Sequence, residues 1–357
     1  MITRDDVLNA LRHVEEPDLK KDLVTLNMIE DIKIEGNNLS FTVILTTPAC
    51  PLKGVIENAC RNAIAHFISP DINVEVKMTS RVTAQKSQPL SNIRNIIVVA
   101  SGKGGVGKST VSANLAIGLA REGAKVGLID ADIYGPSIPI MFGLEDAKPM
   151  ATQAEDGKTR IVPVEKYGIK VLSIGFFTNP DQPVPWRGPM ASNAVKQLFN
   201  DADWGELDYL VVDLPPGTGD IHITLTQTYP VAGAVIVTTP QNVALADTRK
   251  GIGMFLMNSI NVPLLGIVEN MSYFSPAELP ENKYYIFGQG GGRKIAEQFN
   301  APFLGEIPLV QGISEAGDAG EPVILQQENP LSKAFTEVAE RVAQQVSIQN
   351  AKAPKDF

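Results

Sequence analysis

The chain has 357 residues, with 31 Lys and Arg against 40 Asp and Glu, a formal net charge of −9, 44% hydrophobic and 20% charged residues. That length suffices for two domains, or for one large domain with an appendage, and the composition is that of an ordinary soluble globular protein. The acidic balance argues against general nucleic-acid binding, which needs a basic footprint, and no apolar run approaches the length of a membrane span. The opening MITRDDVLNAL is acidic and amphipathic, unlike a signal peptide, so a cytoplasmic location is expected. The two cysteines, Cys50 and Cys60, are spaced unlike any zinc-finger or redox motif, and none follows from Arg61 to Phe357. Histidines are confined to His13, His66 and His222, which disfavours a histidine-rich metal site.

Residues 4–14 place Val7, Leu8, Leu11 and Val14 on one helical face, and Glu16-Pro17-Asp18 ends that pattern. Two strand-like runs, 28–34 and 39–45, are joined by the turn signal Glu35-Gly36-Asn37-Asn38 and read as a hairpin. After Thr46-Thr47-Pro48-Ala49-Cys50-Pro51 a helix is expected over 52–67, then a third strand over 72–78. This is a small α/β domain spanning 1–80. Cys50 falls at a loop-to-helix junction. A helix N-terminus lowers a thiol pKa and improves it as a metal ligand, but an unpaired cysteine is as often a small buried residue. Both readings stand at this point. Cys60 lies within the helix among apolar neighbours and reads as core.

The polar stretch SRVTAQKSQPLSN, with Pro89, predicts a linker over 81–93. From 94 to 347 strands alternate with helices. Strands are expected near 96–100, 125–129, 169–174, 208–213, 233–239, 263–269 and 303–307, and helices near 109–122, 190–200, 220–229, 243–258, 292–300 and 331–346. This alternation predicts a mostly parallel sheet covered by helices on both faces, with ligands bound beyond the carboxyl ends of the strands. The last residues, 348–357, read as a polar tail.

Four motifs sit at those strand ends. Gly102 to Thr110 read GKGGVGKST between a strand and a helix, the spacing of a P-loop. Gly102, Gly104, Gly105 and Gly107 let the backbone around Val106 curl so that several N–H groups converge on phosphates. Lys108 then brings charge to the outer phosphates, and Ser109, followed by Thr110, supplies a hydroxyl to Mg²⁺. Lys103 is a second loop lysine that a generic P-loop does not need. IDADIYGPS (129–137) offers Asp130 at a strand end, able to hold Mg²⁺ or its waters, and Asp132 two residues on, able to orient an attacking water. YLVVDLPPGTGD (209–220) ends four apolar residues in Asp213, the expected Mg²⁺ carboxylate, acting through a water. Its stiff-then-flexible loop would bring the Gly217 N–H to the γ-phosphate, as in switches ordered by ATP. IVENM (267–271) places Asn270, both donor and acceptor, where it suits an adenine edge. The helix near 334–346 has Phe335, Val338, Val342 and Val346 on one stripe and one arginine, Arg341. A membrane-lying helix needs a basic polar face, so core packing is expected and no membrane partner.

Together GKGGVGKST, DADIYGPS, DLPPGTGD, TTPQNVALAD (238–247) and VENMS (268–272) resemble the Mrp/ApbC family of iron–sulfur carrier ATPases, within the MinD/ParA-like P-loop branch. EPDLKKDLVTLNMI (16–29) and TTPACPL (46–52) resemble the small domain of iron–sulfur assembly factors, with Cys50 on that domain's cysteine. The resemblance implies an ATP- and Mg²⁺-dependent homodimer. In it Lys103 reaches the partner's nucleotide, Asp132 serves hydrolysis, Asn270 reads the base and GEIPL (305–309) lines the base pocket. It also implies a [4Fe–4S] cluster, with apo iron–sulfur proteins or assembly factors as partners. Tyr134 and Arg187 match family patterns without an assignable role. One departure bears on the cluster. The family's Cys-x-x-Cys after VENMS is absent, and its positions hold Pro276 and Leu279, which cannot ligate iron. A cluster would then rest on Cys50, or the chain would assist assembly without carrying one, or the switch would serve another protein client.

Overall fold

A computed structural model describes residues 2–84, 90, 92–153, 157–178, 188–276, 278–279, 281–326 and 329–352. Pro89 of the expected linker and Arg187 lie outside the described residues. The chain divides into two compact units, one running to Thr83 and including the chain's end from Ser347, the other Ala84–Val346.

In the smaller unit α1 (Arg4–Leu11) starts at Thr3. The Asp6 N–H donates to Thr3 Oγ1 at 3.2 Å and the Thr3 N–H to the Asp6 carboxylate at 2.9 Å, a reciprocal cap. The helix stops three residues short of the expected Val14. Leu11 closes a turn onto Val14, and the two-residue strands β1 (Glu15–Glu16) and β2 (Lys21–Asp22) pair across the following bend. β3 (Ile29–Glu35), β4 (Asn38–Leu45) and β5 (Asn73–Ser80) make a sheet with β4 in the middle, antiparallel to β3 and parallel to β5. A parallel pair needs a crossover, and α2 (Lys53–Phe67) supplies it. Val7, Leu11, Phe41, Val43, Ile56 and Ile64 form the core, together with Cys60.

The larger unit holds β6 (Ile93–Ala100), α3 (Lys108–Arg121), β7 (Val126–Asp130), α4 (Ile138–Met141), β8 (Ala151–Gln153), β9 (Thr159–Ile161), β10 (Val164–Lys166), β11 (Ile169–Ser173), α5 (Gly188–Asn200), β12 (Leu207–Asp213) and α6 (Asp220–Thr228). There follow β13 (Val231–Thr238), α7 (Asn242–Phe255), β14 (Leu264–Glu269), α8 (Gly291–Gln298), β15 (Phe303–Glu306), α9 (Gln311–Asp318) and α10 (Pro330–Lys352), of which the residues up to Val346 belong to this unit. Eight strands form one sheet in the order β10-β11-β7-β12-β6-β13-β14-β15, parallel except for the edge pair β10–β11. Every residue of β13 and β14 is buried, as are the last six of β6. Consecutive apolar side chains on both faces are what a helix-covered parallel sheet requires. The register sets Ser173 beside Asp130, Asp130 beside Asp213 and Asp213 beside Val99. Two carboxylates and a hydroxyl are thereby lined up in one row where the strands end.

Phe335, Val338, Val342 and Val346 of α10 are all buried, as the stripe predicts. Arg341 donates to the Leu304 carbonyl of β15 at 2.9 Å. The helix continues to Lys352, where a polar tail was expected from 348. Its last turn carries residues that tolerate a helix, and Asn350 Nδ2 donates to the Thr83 carbonyl at 3.0 Å. No described helix is long and apolar enough to cross a membrane. Phe335→Ala should lower stability by about 3–5 kcal/mol through lost burial and a residual cavity. Chemical denaturation checks this, and a loss under about 1 kcal/mol would place Phe335 outside the load of the core.

Candidate active site

The loop between β6 and α3 is closed by two contacts that only glycine permits. A Cβ on Gly102 would collide with the backbone of Asp247 and Thr248 in α7, and one on Gly107, at φ 82°, with the Asn270 side-chain amide. The TTPQNVALAD stretch thus abuts the first glycine of the loop. Lys103, Gly104, Gly105, Gly107, Lys108, Ser109, Thr110 and Asp132 line a cavity of about 200 Å³. Val106 turns inward, and its carbonyl accepts from Asn270 Nδ2 at 2.8 Å. The Lys103 side chain is half-exposed and has no carboxylate within ion-pair distance among the described residues.

Lys108 behaves in the opposite way. It is 6% exposed, with its ammonium 2.8 Å from Asp213 Oδ2, 3.6 Å from Asp132 Oδ2 and 3.2 Å from Ser109 Oγ. The fully buried Asp213 also accepts from Ser109 Oγ at 2.5 Å and, on its other oxygen, from Ser112 Oγ at 2.6 Å. Ser112 was not visible in the sequence as a site residue. It lies one helical turn beyond Lys108, the spacing that stacks two side chains on one face. Asp132 Oδ1 is buried without a partner, and burial raises the Asp132 carboxyl above its ordinary value, opposed by Lys108. A hard divalent cation takes oxygen ligands, and Ser109 Oγ and the Asp213 carboxylate are fitting donors, while the orphan Asp132 oxygen is left for a water.

Asp130 sits differently from its expected role. It does not line the cavity. Its oxygens accept from the Asp132 and Ile138 N–H groups, both at 3.2 Å, and from Ser173 Oγ at 2.9 Å. It braces the 131–138 loop from beneath, with burial and then Asp213 pushing its carboxyl up to about 7. Gly217 lies on the loop after β12. Its N–H donates to the Ser101 carbonyl at 2.9 Å, and it is Pro216 that lines the cavity. A loop that must first satisfy its own buried backbone donors finds the nearest carbonyl.

A second cavity of about 420 Å³ shares Gly107, Thr110, Ser137 and Met141 with the first, so the two form one cleft. Asn270, Pro308 and Leu309 line its far end. With one amide N–H on Val106, Asn270 keeps its second N–H and its carbonyl oxygen for a ligand. The opposite wall is α9, through Ile313, Ser314 and Asp318. α9 carries too few apolar residues to show a helical period in sequence, and α4 is a single turn. Tyr134 is exposed beside the site.

Cys50 belongs to the smaller unit. It is half-buried at the entry to α2, where its carbonyl accepts from the Lys53 N–H. The Cys60 thiol is buried and pushed up to about 12, first by burial, so it is not a thiolate at neutral pH. Among the described residues no group of three His, Cys, Asp or Glu is placed to hold a metal ion. Pro276 is half-buried and Leu279 exposed.

A parallel sheet whose central strand leads through a glycine loop into a helix, with the loop's lysine on a strand-end aspartate, defines a P-loop NTPase. The profile of the NUBPL iron-transfer P-loop NTPases matches residues 92–343, and that of iron–sulfur cluster assembly proteins matches 4–77. The chain is 50% identical over 353 residues to the iron–sulfur cluster carrier protein of Synechocystis sp., covering 98% of this chain and 99% of that one. It is 47% identical over 347 residues to the carrier protein of Deinococcus radiodurans, covering 97% and 96%. Among solved structures it is similar to the nucleotide-binding protein of Archaeoglobus fulgidus in complex with ADP. That match has 39% identity and a TM-score of 0.58, covering 69% of this chain and 93% of the other. The chain belongs to the iron–sulfur cluster carrier family of iron-transfer P-loop NTPases.

His222, in the first turn of α6, is a further buried ionisable group beside the site. Burial is the main cause that lowers its pKa from 6.5 to about 4. A histidine held neutral in the fold but free to protonate when unfolded contributes stability above pH 6.5 that is lost as pH falls toward 4. His222→Leu should remove that acid sensitivity, which amounts to roughly 2 kcal/mol between pH 7 and 5. Denaturation midpoints of both proteins across that range check it, and parallel curves would refute it.

Proposed function

We propose that this chain is a Mg²⁺-dependent ATPase that works as a cytoplasmic homodimer and carries iron–sulfur clusters to apoproteins or assists their assembly. One observation carries the ATPase part: an ammonium, a hydroxyl and two carboxylates meet within 3.6 Å at the closed end of a glycine loop. The triphosphate lies along the loop N–H groups with Lys108 at its outer phosphates. Ser109, with Asp213 behind it, holds Mg²⁺, which when bound neutralises charge on the phosphates. The adenosine occupies the larger cavity against Asn270. Asp132, with Oδ2 3.6 Å from Lys108 and Oδ1 without a partner, orients the attacking water. Lys103, with no carboxylate to hold it back, serves the nucleotide of a second copy.

The cargo half rests on family membership and on Cys50. A cluster is carried as substrate, and Cys60 is too buried to be a thiolate ligand for it. A second reading is favoured by Pro276 and Leu279 at the family's cysteine positions, with Leu279, Tyr284 and Ile286 exposed nearby. In that reading the ATP-driven dimer acts on a protein client and carries no cluster.

Lys108→Ala should abolish nucleotide binding in equilibrium titration. Lys103→Ala should leave ATP affinity within about threefold and slow hydrolysis on the order of 10²-fold or more, the cost of one lost transition-state charge. Unimpaired turnover would refute its action across a dimer. Asp132→Asn should slow hydrolysis with ATP still bound, and equal loss of both would make it a structural or Mg²⁺ residue. Anaerobic reconstitution with iron and sulfide should load the wild type and fail with Cys50→Ser. No iron on either protein would sink the carrier role and leave the client switch.

A further inference from the structure

His222 lies in the first turn of the helix that follows the Pro215–Gly219 loop, two residues beyond Asp220, and is 1% exposed. Neither ring nitrogen has a hydrogen-bond partner. A neutral imidazole carries one N–H and one lone pair, and leaving both unpaired in a dry site is costly. The carbonyls of Pro215 and Gly219 face the ring without completing a hydrogen bond of ordinary geometry. On another side lies the Phe255 ring, 6.4 Å between centroids. Packing alone would be served better by leucine.

The same loop holds a second group in an unproductive place. The Gly217 N–H is on the Ser101 carbonyl at 2.9 Å. Around Gly217 and Gly219 there is open space where a Cβ would be, so the loop has room to move. Two hydrogen-bonding arrangements follow. In the one described, Gly217 is on Ser101 and His222 is unpaired. In the other, the Gly217 N–H leaves Ser101 for the outer phosphate, and the loop's displacement closes a Pro215 or Gly219 carbonyl onto the His222 ring N–H.

We propose that His222 is a positioning residue that draws the Pro215–Gly219 loop from its Ser101-bound arrangement into the phosphate-bound one. This rests on the ATPase reading. The imidazole touches neither nucleotide nor metal. It makes the Ser101-bound arrangement the less satisfied one, and so lowers the cost of releasing Gly217. Its effect is about that of one net hydrogen bond, close to tenfold.

The test compares wild type, His222→Leu and His222→Gln. His222→Leu should be at least as stable as wild type at pH 7.5 and bind ATP with similar affinity. It should hydrolyse ATP about tenfold more slowly and lose the slowing of amide hydrogen exchange over 215–219 caused by a non-hydrolysable ATP analogue. His222→Gln, which keeps an N–H, should recover most of the turnover. Turnover of His222→Leu within twofold of wild type, or equal loss in both variants, overturns the proposal. Should His222→Leu not fold, ¹⁵N resonances of the wild-type ring decide, since only His13 and His66 compete with it. A change in the His222 nitrogens on adding the analogue supports the inference, and none overturns it. Absence of ATP hydrolysis by the wild type would instead remove the ATPase reading itself.

Discussion

An ammonium and a carboxylate 2.8 Å apart, both out of water, are the constraint on which the site is built. A buried ion pair stabilises only where further hydrogen bonds satisfy its remaining atoms. Here Ser109 and Ser112 donate to the two oxygens of Asp213, and Ser109 lies beside Lys108 as well. Lys108 opens α3 and Asp213 ends β12, so the pair fastens the start of the helix to the end of the strand. The glycine loop that leads from β6 into α3 is thereby anchored at its helix end. Removing either partner would strand a buried charge, typically at a cost of about 3–5 kcal/mol.

The rest of the arrangement depends on strand register. Because β7 and β12 are aligned with Asp130 beside Asp213, one carboxylate is free to brace a loop while the other serves the cleft. A shift of one residue would send both to the opposite faces of the sheet. The Ala131 N–H on the Asp213 carbonyl, at 2.9 Å, continues that alignment past the strand end and fixes where Asp132 emerges.

Much of this was legible in the sequence because it was written in local signals. The parallel sheet showed as apolar runs of strand length, and the glycine loop as a fixed spacing. The stripe of α10 showed as a helical period, and its members are buried. What escaped was set by tertiary contact. Nothing local says that Asp130 finds Ser173 and two N–H groups below the loop, or that Gly217 gives its N–H to Ser101. α9 was missed because its apolar pair, Ile313 and Ala316, is too short to make a period. Ser112 was hidden because a serine inside a helix usually bonds its own backbone, and only the neighbouring strand reveals Asp213. His222 read as one of three scattered histidines until the fold enclosed it.

The two margins of the large sheet are closed by different means. On one side β10 is three residues long, runs antiparallel and carries Glu165 and Lys166. On the other, β15 is four residues long, and Arg341 covers its Leu304 carbonyl from α10. Short, charged or covered margins do not accept another strand. The sheet is therefore poorly suited to grow by addition of strands from another chain, which protects it from runaway stacking. Any association of this chain with another is left to side-chain surfaces, where it would be made and undone without breaking a ladder of backbone bonds.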